Sequence, residues 1–145
     1  DNYDLDTSHV LPALVRKAHE AKVRGDREMI VWGSGNPRRE FLFVDDLAEA
    51  CVMLMEQQRS GTSELPSLIN VGCGEDMTIK ELAHTIMNVV GFTGDIRFDT
   101  SRPDGTPQKL LDIARISRLG WKPKTPLAKG VRLSFDDYLS RVRPS

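Results

Sequence analysis

Cysteine and histidine are scarce in this sequence, and each shortage removes a class of function. There are two cysteines, Cys51 and Cys73, and three histidines in 145 residues. The cysteines lack C-x-x-C spacing, so no zinc or other metal site is expected. So low a count suits a reducing, cytoplasmic setting. No window reaches 18 uninterrupted apolar residues, which excludes a membrane-spanning helix. The formal net charge is −1, so no global basic field speaks for nucleic acid or an acidic membrane. Any anion site must be a local cluster of Lys and Arg. The opening DNYDLDTSHV is acidic and polar, unlike a targeting peptide, and holds no Met. A piece of a longer protein is expected.

What is present fits one folded domain over residues 1–145. Hydrophobic residues make up 39% and charged residues 28%, the balance of a globular chain rather than a disordered one. Leu11, Leu14, Val15 and Ala18 recur at helical spacing in DTSHVLPALVRKAHEAKVRGD, with Thr7 or Ser8 as cap and Gly25 as stop. EMIVW reads as a strand and REFLFV as a buried one. Asp45 is placed to cap DLAEACVMLMEQQ, where Leu47, Cys51, Leu54 and Met55 share a face. SGTSELP reads as a loop and SLINVG as a strand. TIKELAHTIMNVVG has a capping box in Thr78 and Glu81, with Gly91 at its end. DIRFD is a strand, SRPDGTPQK a turn-rich loop, and DIARISRLG a short helix. TPLAKGVRLSFDDYLSRV closes the chain, with Thr125 as cap and Pro126 in the first turn. Helices alternating with short strands predict a small α/β domain. The strands are too few and too short for a complete doubly wound fold.

Two glycine turns invite a phosphate-loop reading. INVGCGEDMTIKEL runs strand, Gly72-Cys73-Gly74, helix, and Asp95 lies at about the distance of a ribose-binding acid. However, Met77 takes the third glycine position, and Glu75 and Asp76 put negative charge where a pyrophosphate would sit. The segment is expected to be a plain turn before a capped helix. VWGSGNPRRE fits neither G-x-G-x-x-G nor the Walker pattern, because no Lys follows and it runs into a strand. It reads either as an exposed turn with solvated arginines or as a turn aiming Arg38 and Arg39 at an anion beside the flat face of Trp32. The acid pair Asp45 and Asp46 in VDD reads best as a helix cap with favourable dipole placement.

SHVLPALVRKAHEA, VWGSGNPRREFLFVDDLAEA, INVGCGEDMTIKELA and FDTSRPDGTPQKLLD, in this order, resemble the GDP-L-fucose synthase family. Its members are NADP-dependent epimerase/reductases of the extended short-chain dehydrogenase type. The resemblance covers essentially the whole chain and points to the C-terminal half. It implies a small substrate-binding domain with the Rossmann half absent, since the family's cofactor loop and its Ser/Tyr/Lys and Cys catalytic groups have no counterpart here. Neither Cys51 nor Cys73 inherits the catalytic role. It further implies that GDP-4-keto-6-deoxymannose is epimerised at C3 and C5 and reduced at C4 by NADPH. His9 matches the catalytic histidine, which also approaches the cofactor. Lys17, Trp32, Arg39, Asp104 and Lys109 match substrate-contacting positions. NADP would be bound mainly by the missing half, through which the full-length enzyme would also form a homodimer. A chain cut here is expected to be inactive alone. The alternatives are another NDP-sugar epimerase or dehydratase, and a non-catalytic nucleotide-sugar-binding module.

Overall fold

A computed structural model describes residues 2–60 and 65–141. The loop read over SGTSELP lies mostly outside them. Ten elements follow one another: α1 (Val10–Arg24), β1 (Glu28–Trp32), β2 (Arg38–Glu40), α2 (Val44–Ser60), β3 (Asp76–Thr78), α3 (Ile79–Val90), β4 (Asp95–Asp99), β5 (Gln108–Lys109), α4 (Ala114–Arg118) and α5 (Leu127–Arg141). No helix among the described residues is long and apolar enough to cross a membrane.

The principal core forms where helical stripes meet one face of a short parallel sheet. In α1 the buried residues are Pro12, Leu14, Val15, Ala18 and Ala21; of the predicted stripe Leu14, Val15 and Ala18 are buried and Leu11 is half-buried. The helix ends in a Schellman motif, in which Gly25 at φ 70° lets the amides of Gly25 and Asp26 return to Lys22 and Ala21. Its start differs from expectation. His9 holds the cap position without a capping bond from its side chain. Thr7 instead donates from its amide and hydroxyl to Asp4 Oδ1 at 2.9 and 3.0 Å, which takes it away from the helix. α3 carries Ile79, Leu82, Ala83, Ile86, Met87 and Val90 inward. Its capping box is complete: Thr78 accepts from the Glu81 amide, and Glu81 accepts from the Thr78 amide. β1 pairs in parallel with β4, from Glu28↔Asp95 to Trp32↔Asp99. Met29 and Val31 point into the core and Trp32 points out.

The second sheet has three shorter strands: β2 lies between antiparallel β3 and parallel β5. REFLFV is therefore a strand only as far as Glu40. Its partners run out there, since β3 has three residues and β5 two, and α2 begins at Val44. SLINVG is not a strand either. Ile69 and Val71 pack sideways into a second core of Ala50, Ile116 and Trp121.

α2 presents a different face from the one predicted. Ala50 is fully buried, while Leu47 is 41% and Met55 66% exposed, and Cys51 is also exposed. The face is selected by Asp46. This residue is 4% exposed and accepts from the Lys124 amide (3.1 Å), the Thr125 amide (2.9 Å) and the Thr125 hydroxyl (3.0 Å). Asp45 and Asp46 are thus first-turn residues of a helix starting at Val44, with Asp46 as a tie rather than a cap. Thr125 donates to that tie and does not cap α5, which starts at Leu127.

Candidate functional site: one loop strung between two sheets

The segment after β4 is held at both ends by parallel pairing. At one end Trp32 lies opposite Asp99. At the other, Arg39 lies opposite Lys109. The turn between β1 and β2 and the loop between β4 and β5 therefore run side by side, although some 70 residues separate them in sequence. Asp104 fastens their middles: its carboxylate accepts from the Ser34 amide at 2.6 Å and the Ser34 hydroxyl at 2.7 Å. These two bonds hold the Asp104 carboxyl below its ordinary range.

The glycines of the turn serve this close approach. Gly33 (φ 82°) would bring a Cβ within 2.4 Å of Asp104 Oδ1, and Gly35 (φ 79°) within 2.3 Å of Phe98 Cε1. Only glycine suits both the positive φ and the contact. The glycines of VWGSGNPRRE thus let the turn lie against the Asp104 loop and Phe98.

Trp32 projects from the end of β1, 44% exposed. Lys17, reaching up from α1, sets its Nζ 4.4 Å from the centre of the indole and donates to the Ile30 carbonyl at 3.3 Å. Burial lowers the Lys17 pKa, the nearby Arg102 cation lowers it further, and Asp99 acts in the opposite direction. Lys17 and Trp32 line a hollow of about 220 Å³ together with Ser8, Val10 and Val31. His9, exposed, stands between two of those lining residues.

Arg38 and Arg39 separate in function. Arg38 is spent on structure, with its Nε 2.7 Å from Asp76 Oδ1 and a second bond to the Asp76 carbonyl. Arg39 bonds only to the Arg38 carbonyl, at 2.7 Å, and has no carboxylate partner among the described residues. It opens on a hollow of about 320 Å³. Lys109 is exposed beside it.

Comparison with known proteins identifies the relatives of this chain. The profile of the NAD dependent epimerase/dehydratase family matches residues 1–72. GDP-L-fucose synthase 1 of Arabidopsis thaliana is 49% identical over 142 residues, covering 98% of this chain and 42% of that protein. The structure of a GDP-L-fucose synthetase from Naegleria fowleri bound to NADP superposes with a TM-score of 0.80 at 32% identity, over 97% of this chain and 43% of that one. A GDP-6-OMe-4-keto-L-xylo-heptose reductase from C. jejuni superposes with a TM-score of 0.81 at 34% identity, over 97% of this chain and 50% of that one.

This chain belongs to the epimerase/dehydratase family, on its GDP-L-fucose synthase branch. It spans less than half the length of the Arabidopsis synthase and corresponds to a C-terminal part of such synthases. The described residues do not fit the dinucleotide these enzymes are expected to use. The one glycine turn that leads into a helix, Gly72–Gly74, is followed by Asp76, tied to Arg38 and Gln108. The first amides of α3 are already met by Thr78 and by backbone carbonyls of the arginine turn. Of the residues assigned from the synthase resemblance, Lys17 and Trp32 meet directly, Arg39 and Lys109 meet across a strand pair, and Asp104 secures the loop that joins the two groups. Two residues escaped the sequence reading. Ser34, inside the glycine turn, is the anchor for Asp104. Arg102 sets its guanidinium carbon 4.8 Å from the Trp32 ring centre; its one signal in sequence is its position two residues before Asp104.

Proposed function

We propose that this chain forms the sugar-nucleotide-binding part of a GDP-L-fucose synthase. In this reading the complete enzyme converts GDP-4-keto-6-deoxymannose to GDP-L-fucose by epimerisation at C3 and C5 and reduction at C4. The observation that carries the reading is the placement of Lys17 against Trp32 at one end of the β4–β5 loop and of Arg39 beside Lys109 at the other, since cations and an indole suit a nucleoside diphosphate. Trp32 offers an apolar face to a base or sugar ring. Arg39 takes diphosphate oxygens through its planar fork, Lys109 adds a point charge, and Asp104 keeps the loop in place.

Epimerisation beside a ketone removes an acidic α-proton and returns one to the opposite face, which takes two proton-transfer groups. His9 is proposed as one of them, because imidazole changes charge near neutral pH and its sequence neighbours Ser8 and Val10 line the Lys17–Trp32 hollow. NADPH would be held mainly by segments outside this chain and would supply the hydride for C4, with His9 as the residue this chain would bring to it. The same reading places the reaction in the cytoplasm and the pairing of full-length chains outside the present residues.

The test is His9→Asn in the full-length protein. Solvent-deuterium incorporation at C3 and C5 should fall by about 100-fold or more, while affinity for the GDP-sugar stays within about twofold. Undiminished incorporation would remove His9 from the mechanism. A second reading, reduction of another GDP-linked keto sugar, is favoured by the similarity to the C. jejuni heptose reductase. It predicts turnover of a 4-keto heptose substrate at a rate above that with the deoxymannose one.

A further inference from the structure

The glycine turn Gly72-Cys73-Gly74 holds an anion, and that anion belongs to the protein itself. Glu40, the last residue of β2, is half-buried. Its carboxylate accepts from the Gly74 amide at 2.6 Å and from the Leu111 amide at 3.1 Å, one oxygen serving each. A Cβ at Gly72 would lie 2.4 Å from Glu40 Oε1, 2.8 Å from its carboxyl carbon and 2.9 Å from Oε2. Gly72 therefore leaves the room that this carboxylate fills, while Gly74 takes a φ of 78° that residues with a side chain rarely adopt. Amide bonds to a carboxylate are stronger than bonds between neutral groups, so Glu40 is a firm link between the turn and the chain that follows β5.

Leu111 stands two residues beyond Lys109. β5 pairs with β2 only through Gln108 and Lys109, and so short a parallel pairing is weak by itself. Apolar burial does not hold the segment, since Leu110 is 45% and Leu111 44% exposed. Hydrogen bonds bracket Lys109 instead. Before it, the Arg38 amide donates to the Pro107 carbonyl at 2.8 Å, and the Gln108 side chain donates to Asp76. After it, the Leu111 amide donates to Glu40. Arg39 and Glu40 are successive strand residues, so their side chains take opposite faces of the sheet. The carboxylate thus works behind the sheet, while Arg39 and its strand partner Lys109 lie side by side on the other face.

We propose that Glu40 is a positioning residue: by tying the Gly72–Gly74 turn to the chain just past β5, its carboxylate holds Lys109 beside Arg39, so that both cations meet one diphosphate. This rests on the sugar-nucleotide reading above, in which Arg39 and Lys109 take the diphosphate, and it names the group that keeps them together. Glu40 touches no substrate and acts through Lys109. A lysine on a backbone fixed before and after it loses less freedom on binding than one on a loose end.

The experiment is calorimetric titration of the full-length protein with GDP and with guanosine, for wild type, Glu40→Gln, Gly72→Ala, Lys109→Ala and the double variant Glu40→Gln/Lys109→Ala. Circular dichroism melts set a temperature at which every variant is folded. Glu40→Gln puts a donor where one oxygen accepted, and Gly72→Ala displaces the carboxylate with its charge intact. Each should weaken GDP binding about fivefold and guanosine binding less than about twofold, and should speed hydrogen exchange at the Leu111 amide about tenfold. In the Lys109→Ala background Glu40→Gln should cost less than about twofold, because both residues act on one contact. Losses that multiply in the double variant, or equal losses for GDP and guanosine, would overturn the positioning role and make Glu40 a support of the fold alone. GDP affinity unchanged in both Glu40→Gln and Gly72→Ala, in a protein that binds GDP, would overturn it and leave the sugar-nucleotide reading standing. Wild-type protein that binds neither ligand would overturn the parent reading together with this one.

Discussion

Asp46 offers the sharpest test of how this domain is held together. Its buried carboxylate collects three hydrogen bonds from two consecutive residues, Lys124 and Thr125. Burial pushes its pKa up, but the bonds from Thr125 and Lys124 together outweigh it, and the net direction is downward. Hydrogen bonds to a charged group contribute about 1.5–3 kcal/mol each, against which the desolvation of the carboxylate must be set. Asp46→Ala strands two backbone amides and should cost about 3 kcal/mol. Asp46→Asn keeps one carbonyl oxygen for the two amides that share Oδ2, and the Thr125 hydroxyl can turn to accept; it should cost about 1 kcal/mol. With a urea m-value of about 2 kcal/mol/M, the alanine midpoint moves down by about 1.5 M. Trp121 is buried in the same small core, so its fluorescence follows the transition. The pH dependence is decisive. Because the folded pKa is depressed, the stabilisation is fully present above the unfolded value near 3.8 and is lost as pH falls through the lower folded value. The gap between wild type and Asp46→Asn should therefore close in that acid window. A gap of the same size at pH 7 and well below pH 3.8 would refute the role given to the ionised carboxylate.

Three further outcomes are open to measurement. Arg39→Ala in the full-length protein should weaken GDP-sugar affinity by about tenfold with little change in melting temperature; unaltered affinity would count against the phosphate role. Thr78→Ala breaks the reciprocal cap of α3 and should lower stability by about 1 kcal/mol in a denaturant titration; a change within error would mean that water replaces the cap at no cost. Asp104→Ala frees the Ser34 amide, whose hydrogen exchange should accelerate by about tenfold. In the wild type the same acceleration should set in as pH falls through the lowered Asp104 pKa, after correction for intrinsic exchange. Protection that survives the substitution would show that the loop is held by its strand pairs alone.

Local chemistry was legible in the sequence wherever a signal and its partner lie within a few residues. The Thr78–Glu81 box, the Gly25 and Gly91 stops and the strand Glu28–Trp32 all stand where spacing places them. The acidic residues and the missing glycine after Gly72–Gly74 were equally legible, since both are visible without a fold. Residue types also marked Trp32, Arg38 and Arg39 before any geometry, and the family resemblance singled out Arg39 and added His9, Lys17, Asp104 and Lys109.

Tertiary structure decided the rest, because those outcomes depend on partners far away in the chain. Apolar spacing in α2 is compatible with more than one inward face, and the bonds from Asp46 to Lys124 and Thr125 select the one carrying Ala50. REFLFV and SLINVG have strand composition, yet a strand exists only where a neighbour supplies its hydrogen bonds, and here the neighbours are short or lacking among the described residues. Arg38 and Arg39 are adjacent and alike in sequence. Only the pairing of β2 with β3 shows that one is neutralised by Asp76 while the other has no carboxylate partner among the described residues. The sequence by itself determined which residues can carry phosphate, stacking and proton chemistry, since those are properties of side chains. Their placement required two parallel strand pairings and the Asp104–Ser34 bonds, which put Trp32 and Arg102 near one end of a single loop and Arg39 and Lys109 at the other.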